Sequence, residues 1–129
     1  MYFEGPVMGK VALWLKVVAL SPDRAVRFSL RLAAAGLGHG LVLCVFPEGE
    51  RSIDGRLKGF RKGPAIVATE LGLPVVPAGI RGSWEVWRRG SNRIRLHPVT
   101  VEFGEALAPG GKSADDFNAE LHEAVQRLL

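Results

Sequence analysis

Residues 41–52 read LVLCVFPEGERS. Six apolar residues run up to Pro47, and a dense set of charges begins immediately after it. A continuously apolar run this short predicts a strand buried on both faces, the pattern of a strand inside a parallel sheet. The flanking residues set this strand in an α/β chain. Upstream, residues 10–15 read as the end of a helix and VVAL, 17–20, as a short strand. In SPDR, 21–24, Ser21 is an N-cap, Pro22 takes the first helical position and Asp23 the first turn. Val26, Leu30, Ala33 and Leu37 then recur at helical spacing, and Gly36, Gly38 and Gly40 end the helix.

Downstream, residues 47–63 form a loop rich in glycine and charge. Gly63-Pro64 opens a helix over AIVATEL, which closes at Gly72. VVPAGI, 75–80, predicts a strand, with Pro77 marking an edge or a bulge. A loop carrying Trp84 and Trp87 follows, then RIRLHPVTVEFG, 93–104, as another strand. Ser113 caps the last helix with Asp116 as its capping box, and Phe117, Leu121, Val125 and Leu128 form its apolar stripe. The order predicts an α/β fold, a mostly parallel mixed sheet flanked by helices. Ligands collect at the carboxyl ends of strands in such sheets, which singles out the charged loop after Phe46.

Length and composition fit one domain, residues 1–129, with 47% hydrophobic and 23% charged residues. The lone Cys44 lies in an apolar run and reads as a buried thiol. One cysteine rules out an internal disulfide framework and fits a reducing compartment. No apolar run approaches the roughly 20 residues of a membrane-spanning helix. The longest, VALWLKVVAL at 11–20, is interrupted by Lys16 and reads as core helix and strand. The net charge of +4 is concentrated: residues 48–95 hold ten Lys/Arg against five Asp/Glu. A patch of this sign suits a phosphate, an anionic membrane surface or nucleic acid. On charge alone, a solvated basic face fits as well.

Within the loop, Arg51 presents a planar fork of donors that matches two phosphate oxygens. Gly49 permits close approach of the backbone, and Ser52 adds a neutral donor. Glu48 and Glu50 either hold the arginine or accept from a substrate hydroxyl. An anion clamp beside a hydroxyl acceptor suits a polyol phosphate. Lys58, Arg61 and Lys62 add positive field, and the helix starting near Pro64 offers free N–H groups to the same anion. The plainer reading is a solvated loop with local Glu–Arg pairs, each worth under about 1 kcal/mol. The P-loop spacing, zinc-ligand patterns and the G-x-S-x-G elbow are all absent from the sequence.

These residues carry a family resemblance. Phe46-Pro47-Glu48-Gly49-Glu50-Arg51-Ser52 is similar to the F-P-E-G-T-R-S signature of the glycerolipid acyltransferases, the lysophosphatidic acid acyltransferase family. Val75-Val76-Pro77-Ala78-Gly79-Ile80 resembles that family's later V-P-V-x-I block. Asp23-Arg24 sits where the family has I-D-R, and Lys58, Gly59, Phe60, Lys62 and Gly63 follow its F-K-x-G pattern. The resemblance implies transfer of an acyl group from acyl-CoA or acyl carrier protein to a hydroxyl of 1-acylglycerol 3-phosphate. It assigns the acceptor phosphate to Arg51, helped by Arg24 and Lys58. Glu48 and Gly49 shape the glycerol end, and Pro77 lines the site. It implies direct attack without an acyl-enzyme, no metal or prosthetic group, and a peripheral place on the cytoplasmic face of the membrane.

The sequence departs from the family in two respects. Glu50 replaces the signature's Thr, removing a hydroxyl contact. The family's catalytic H-x-x-x-x-D block, whose His is the general base and whose Asp orients it, is also missing. Five residues after His39, His97 and His122 stand Cys44, Glu102 and Arg127. His97 and Glu102 come nearest, but an odd spacing on a strand puts them on opposite faces. The chain is therefore expected to be the C-terminal part of a longer acyltransferase domain, inactive alone. A noncatalytic module that binds phospholipid head groups or an anionic membrane is the alternative. Nucleic acid is not an expected partner, because Phe60, Trp84 and Trp87 are the few stacking aromatics near the basic residues.

Overall fold

The computed structural model describes residues 35–36 and 42–129. The helix and strand expected over residues 10–34, and Arg24 with them, lie outside the described residues. The described elements are helix α1 (Gly63–Leu71), strand β1 (Ala78–Arg81), the short helix α2 (Ser83–Val86), strand β2 (Thr100–Phe103) and helix α3 (Ala114–Arg127).

The helix boundaries follow local chemistry. Proline in the first turn of α1 gives up an N–H that has no intrahelical partner there. At its other end Gly72 takes the left-handed conformation, φ 62°, which a side chain would resist, and the helix stops. Helix α3 starts at Ser113, whose Oγ accepts from the Asp116 N–H at 3.1 Å, while the Ser113 hydroxyl donates to the Asp116 carboxylate at 2.6 Å. Asp115 and Asp116 in the first turn and Arg127 in the last oppose the helix dipole.

The two long helices make the core. Ala65 and Ala68 present a small-residue face of α1, into which α3 inserts Phe117 and Leu121. Phe117 has no exposed surface. Phe60, Val75 and Leu107 close the cluster, so the strands and the end of the charged loop are tied to the same nucleus.

The sheet pairs β1 with β2 antiparallel, in the register Ala78 to Phe103 and Arg81 to Thr100. Beyond it Val75 and Leu107 exchange two backbone hydrogen bonds of 2.8 Å. Between the two pairings Val76 and Pro77 face Gly104, Glu105 and Ala106, one residue more, which is a β-bulge. Pro77 has no N–H to give, and its carbonyl accepts from Gly104 at 2.9 Å. The bulge expected at the proline is therefore present, and the regular strand begins one residue after it.

Four local expectations are corrected. Residues 42–46 form no strand and are exposed, with Val42 92% accessible. Cys44 is likewise an exposed free thiol, not a buried one. An apolar run is buried only where other layers cover it, and among the described residues no strand pairs with it. The strand expected over 93–104 shrinks to Thr100–Phe103, because Pro98 interrupts the ladder. The segment between the tryptophans is a helical turn, α2, rather than a loop.

Truncating Phe117 to Ala empties the center of the core and is expected to cost about 3–5 kcal/mol. Ser113→Ala, which removes only a cap, is expected to cost about 1 kcal/mol. Urea unfolding of both variants against the parent checks the ranking.

Candidate functional site

The loop after Phe46 is closed at its base by backbone. Gly49 N–H donates to the Phe46 carbonyl at 3.1 Å, and Arg61 N–H to the Pro47 carbonyl at 2.8 Å. Gly49 holds φ 74°, and a Cβ there would overlap the Arg61 side chain, so two reasons require glycine. The distal limb is anchored to the core through Phe60. Its ring meets His122 edge-on at 4.9 Å, and its carbonyl accepts from Asn118 at 3.4 Å.

The two glutamates are both engaged, and neither engages Arg51. Glu48 accepts the Lys58 backbone N–H at 2.8 Å, crossing the loop from one limb to the other. Glu50 takes the Lys58 ammonium at 2.8 Å and the Arg89 guanidinium at 2.6 Å. Lys58, then Arg89, hold the Glu50 carboxyl down at about 2, against an ordinary 4.5. Ser52 organizes a turn inside the loop: its Oγ accepts from Gly55 at 2.9 Å and lies 2.9 Å from the Arg56 carbonyl. Asp54 accepts from the Arg56 backbone N–H at 3.0 Å, the main cause that keeps its carboxyl below the ordinary range.

Arg51 is exposed and lies with its guanidinium carbon 4.4 Å from the centroid of a Trp87 ring. Trp87 is itself oriented by its indole N–H, which donates to the Ser91 carbonyl at 2.8 Å. Arg88 repeats the arrangement over Trp84, at 4.1 Å. Gly55, φ 83°, leaves room for the Trp84 indole against the loop. Among the described residues Arg51, Arg61 and Arg88 form no ion pair with a carboxylate. The site is therefore a cationic surface braced by internal carboxylates, with two arginines laid on indoles.

The structure thus brings together Glu48, Gly49, Arg51, Ser52 and Lys58. Pro77 is buried in the bulge against Gly104, whose N–H its carbonyl accepts. Two participants were missed from sequence: Trp87, and Arg89 as the distant cation that binds Glu50. The W-x-x-W-R-R spacing at 84–89 was the available signal, since it combines stacking faces with guanidinium groups. His97 and Glu102 do not meet. The imidazole lies 2.9 Å from the Pro98 carbonyl, and the carboxylate pairs with Arg81 at 2.8 Å.

With this geometry in view, comparison with known proteins is informative. The model of the acyltransferase family matches residues 1–81. A 1-acyl-sn-glycerol-3-phosphate acyltransferase of Limnanthes douglasii is 34% identical over 96% of this chain and 46% of its own length. The chloroplastic 1-acyl-sn-glycerol-3-phosphate acyltransferase of Brassica napus is 43% identical over 74% of this chain and 28% of its own. The crystal structure of the 1-acyl-sn-glycerophosphate acyltransferase PlsC from Thermotoga maritima superposes with a TM-score of 0.80. It is 29% identical, over 96% of this chain and 50% of that one. The chain belongs to the acyltransferase family, with the α/β acyltransferase fold read from its sequence. It spans half or less of the length of these relatives.

The Glu50 bridge carries a definite pH signature. Its folded value lies below the ordinary 4.5, so its stabilizing effect is complete above that pH and is lost as pH falls through about 2. The stability difference between the parent and Glu50→Gln is expected to be constant from neutrality to about 4.5, and then to close on acidification. Urea midpoints of both proteins along a pH series measure it.

Proposed function

We propose that this chain supplies the acceptor-phosphate-binding part of an enzyme that acylates 1-acylglycerol 3-phosphate, a step of phospholipid biosynthesis. The observation that supports it is the state of Arg51. Two glutamates stand within three residues of it in sequence, yet both are taken by Lys58 and Arg89. The guanidinium keeps its charge free of carboxylates among the described residues and lies over the Trp87 ring. A solvated loop with local Glu–Arg pairs would look different.

The relatives are named for the acceptor 1-acyl-sn-glycerol 3-phosphate, which supports this reading. In this reading Arg51 binds the phosphate bidentately, and Lys58, neutralized on one side by Glu50, frames the loop that carries it. Gly49 lets the acceptor approach the backbone, and Ser52 holds the turn behind the arginine. Arg24 joins the same phosphate. The acyl donor is a thioester of coenzyme A or acyl carrier protein, and the reaction takes place at the cytoplasmic face of a membrane, on which the protein is peripheral.

The acceptor hydroxyl needs a general base, a group worth on the order of 10² to 10⁴ in rate. No H-x-x-x-x-D occurs in the 129 residues. His97 faces a carbonyl and His122 an aromatic ring, so neither is paired with a carboxylate among the described residues. On this reading the chain binds the acceptor and does not transfer the acyl group by itself. The same observation favors, as a second reading, a module that binds phospholipid head groups without catalysis.

Calorimetric titration with 1-acylglycerol 3-phosphate in mixed micelles tests the common element. Arg51→Ala is expected to weaken binding about ten- to a hundredfold, the effect of losing a charge-assisted hydrogen bond. Arg51→Lys is expected to be nearly as harmful, because lysine keeps the charge without the fork. Changes below about threefold in both would reduce Arg51 to a surface residue. Thioester turnover by the chain alone would overturn the claim that it cannot catalyze.

A further inference from the structure

We propose that Trp87 is a positioning residue for acceptor binding: its indole face carries the Arg51 guanidinium and aims the N–H edge of the fork at the phosphate. The proposal rests on the reading of Arg51 as the acceptor clamp. The guanidinium carbon lies 4.4 Å from the ring centroid, close enough for a cation–π contact. Stacking uses the face of the guanidinium and leaves its donors pointing outward in their own plane, where a bidentate anion contact must form. An exposed arginine otherwise has several rotatable bonds to immobilize when an anion arrives, and that loss opposes binding. A flat surface beneath the head removes part of it in advance.

One contact fixes the indole and a second ties the segment that carries it to the loop. The indole N–H donates to the Ser91 carbonyl at 2.8 Å, which sets the plane of the ring. Two residues on from Trp87, Arg89 is bound to Glu50, the residue just before Arg51, at 2.6 Å. Residues 87–91 are therefore tied to the loop beside the stack, through Arg89 and Glu50. The adjacent Arg88–Trp84 pair shows that the same segment supports this packing twice. Trp87 touches no substrate in this account and acts only through Arg51.

The test uses the full chain and 1-acylglycerol 3-phosphate in mixed micelles, read by calorimetry. Trp87→Leu is expected to weaken binding about five- to tenfold, in line with an exposed to partly desolvated cation–π contact. Trp87→Phe, which keeps an aromatic face, is expected to stay within about threefold of the parent. In an Arg51→Ala background Trp87→Leu is expected to cause no further loss. An additional loss there would assign Trp87 a separate structural role and overturn the proposal. Equal binding by Arg51→Ala and the parent would sink the clamp reading itself. Weakening by Arg51→Ala with none by Trp87→Leu would sink only the positioning role. A second readout needs no variant: the Arg51 Nε–H resonance is expected to be shifted upfield by the indole ring current and to remain so when acceptor is bound. Loss of that shift on binding would make the stack a resting pose and overturn the proposal.

Discussion

The Glu50 carboxylate sets the arrangement of the charged loop. It reaches across the loop to Lys58 and across 39 residues of sequence to Arg89, and so ties two segments that share no secondary structure. Because its oxygens are taken, Arg51 is left to lie on Trp87 instead of collapsing onto its own neighbor. Glu48 does the same on a smaller scale, capping the Lys58 backbone N–H. The acidic residues of this basic site are thus its internal frame. Carboxylates therefore stand beside Arg51 without neutralizing it.

Much of the fold was legible because it is encoded within a few residues of where it acts. Pro64 and Gly72 bound α1, and Ser113 with Asp116 opens α3, each through a backbone group that one side chain can satisfy or refuse. Pro77 predicted a bulge for the same reason: a residue without an N–H cannot continue a ladder. The stripe of α3 was readable from period alone, and Phe117 and Leu121 are its buried members. The F-P-E-G-x-R-S stretch carried the family through its sequence resemblance, and the family comparison agrees with it.

What was not legible depends on distant parts of the chain. Apolarity predicted burial for residues 42–46, but burial requires a covering layer, and sequence pattern does not say which strand supplies it. The choice of Lys58 and Arg89 over Arg51 by Glu50 is decided by where the chain returns 39 positions later, not by adjacency. Alternation alone also extended the second strand through Pro98, where tertiary pairing ends.

Two glycines on neighboring strands leave a notch in the sheet. A Cβ on Gly79 would stand 2.7 Å from the Cβ of Leu128, and one on Gly104 would lie 3.5 Å from its Cδ1. Leu128 therefore occupies space that only missing side chains create, just past the end of α3. Free helix ends usually fray. Here the final turn is seated in the sheet, so its amides should exchange with solvent at the pace of the strands beneath them. The terminal turn and β1 are then expected to open together, although they lie 49 positions apart in the chain at Gly79 and Leu128.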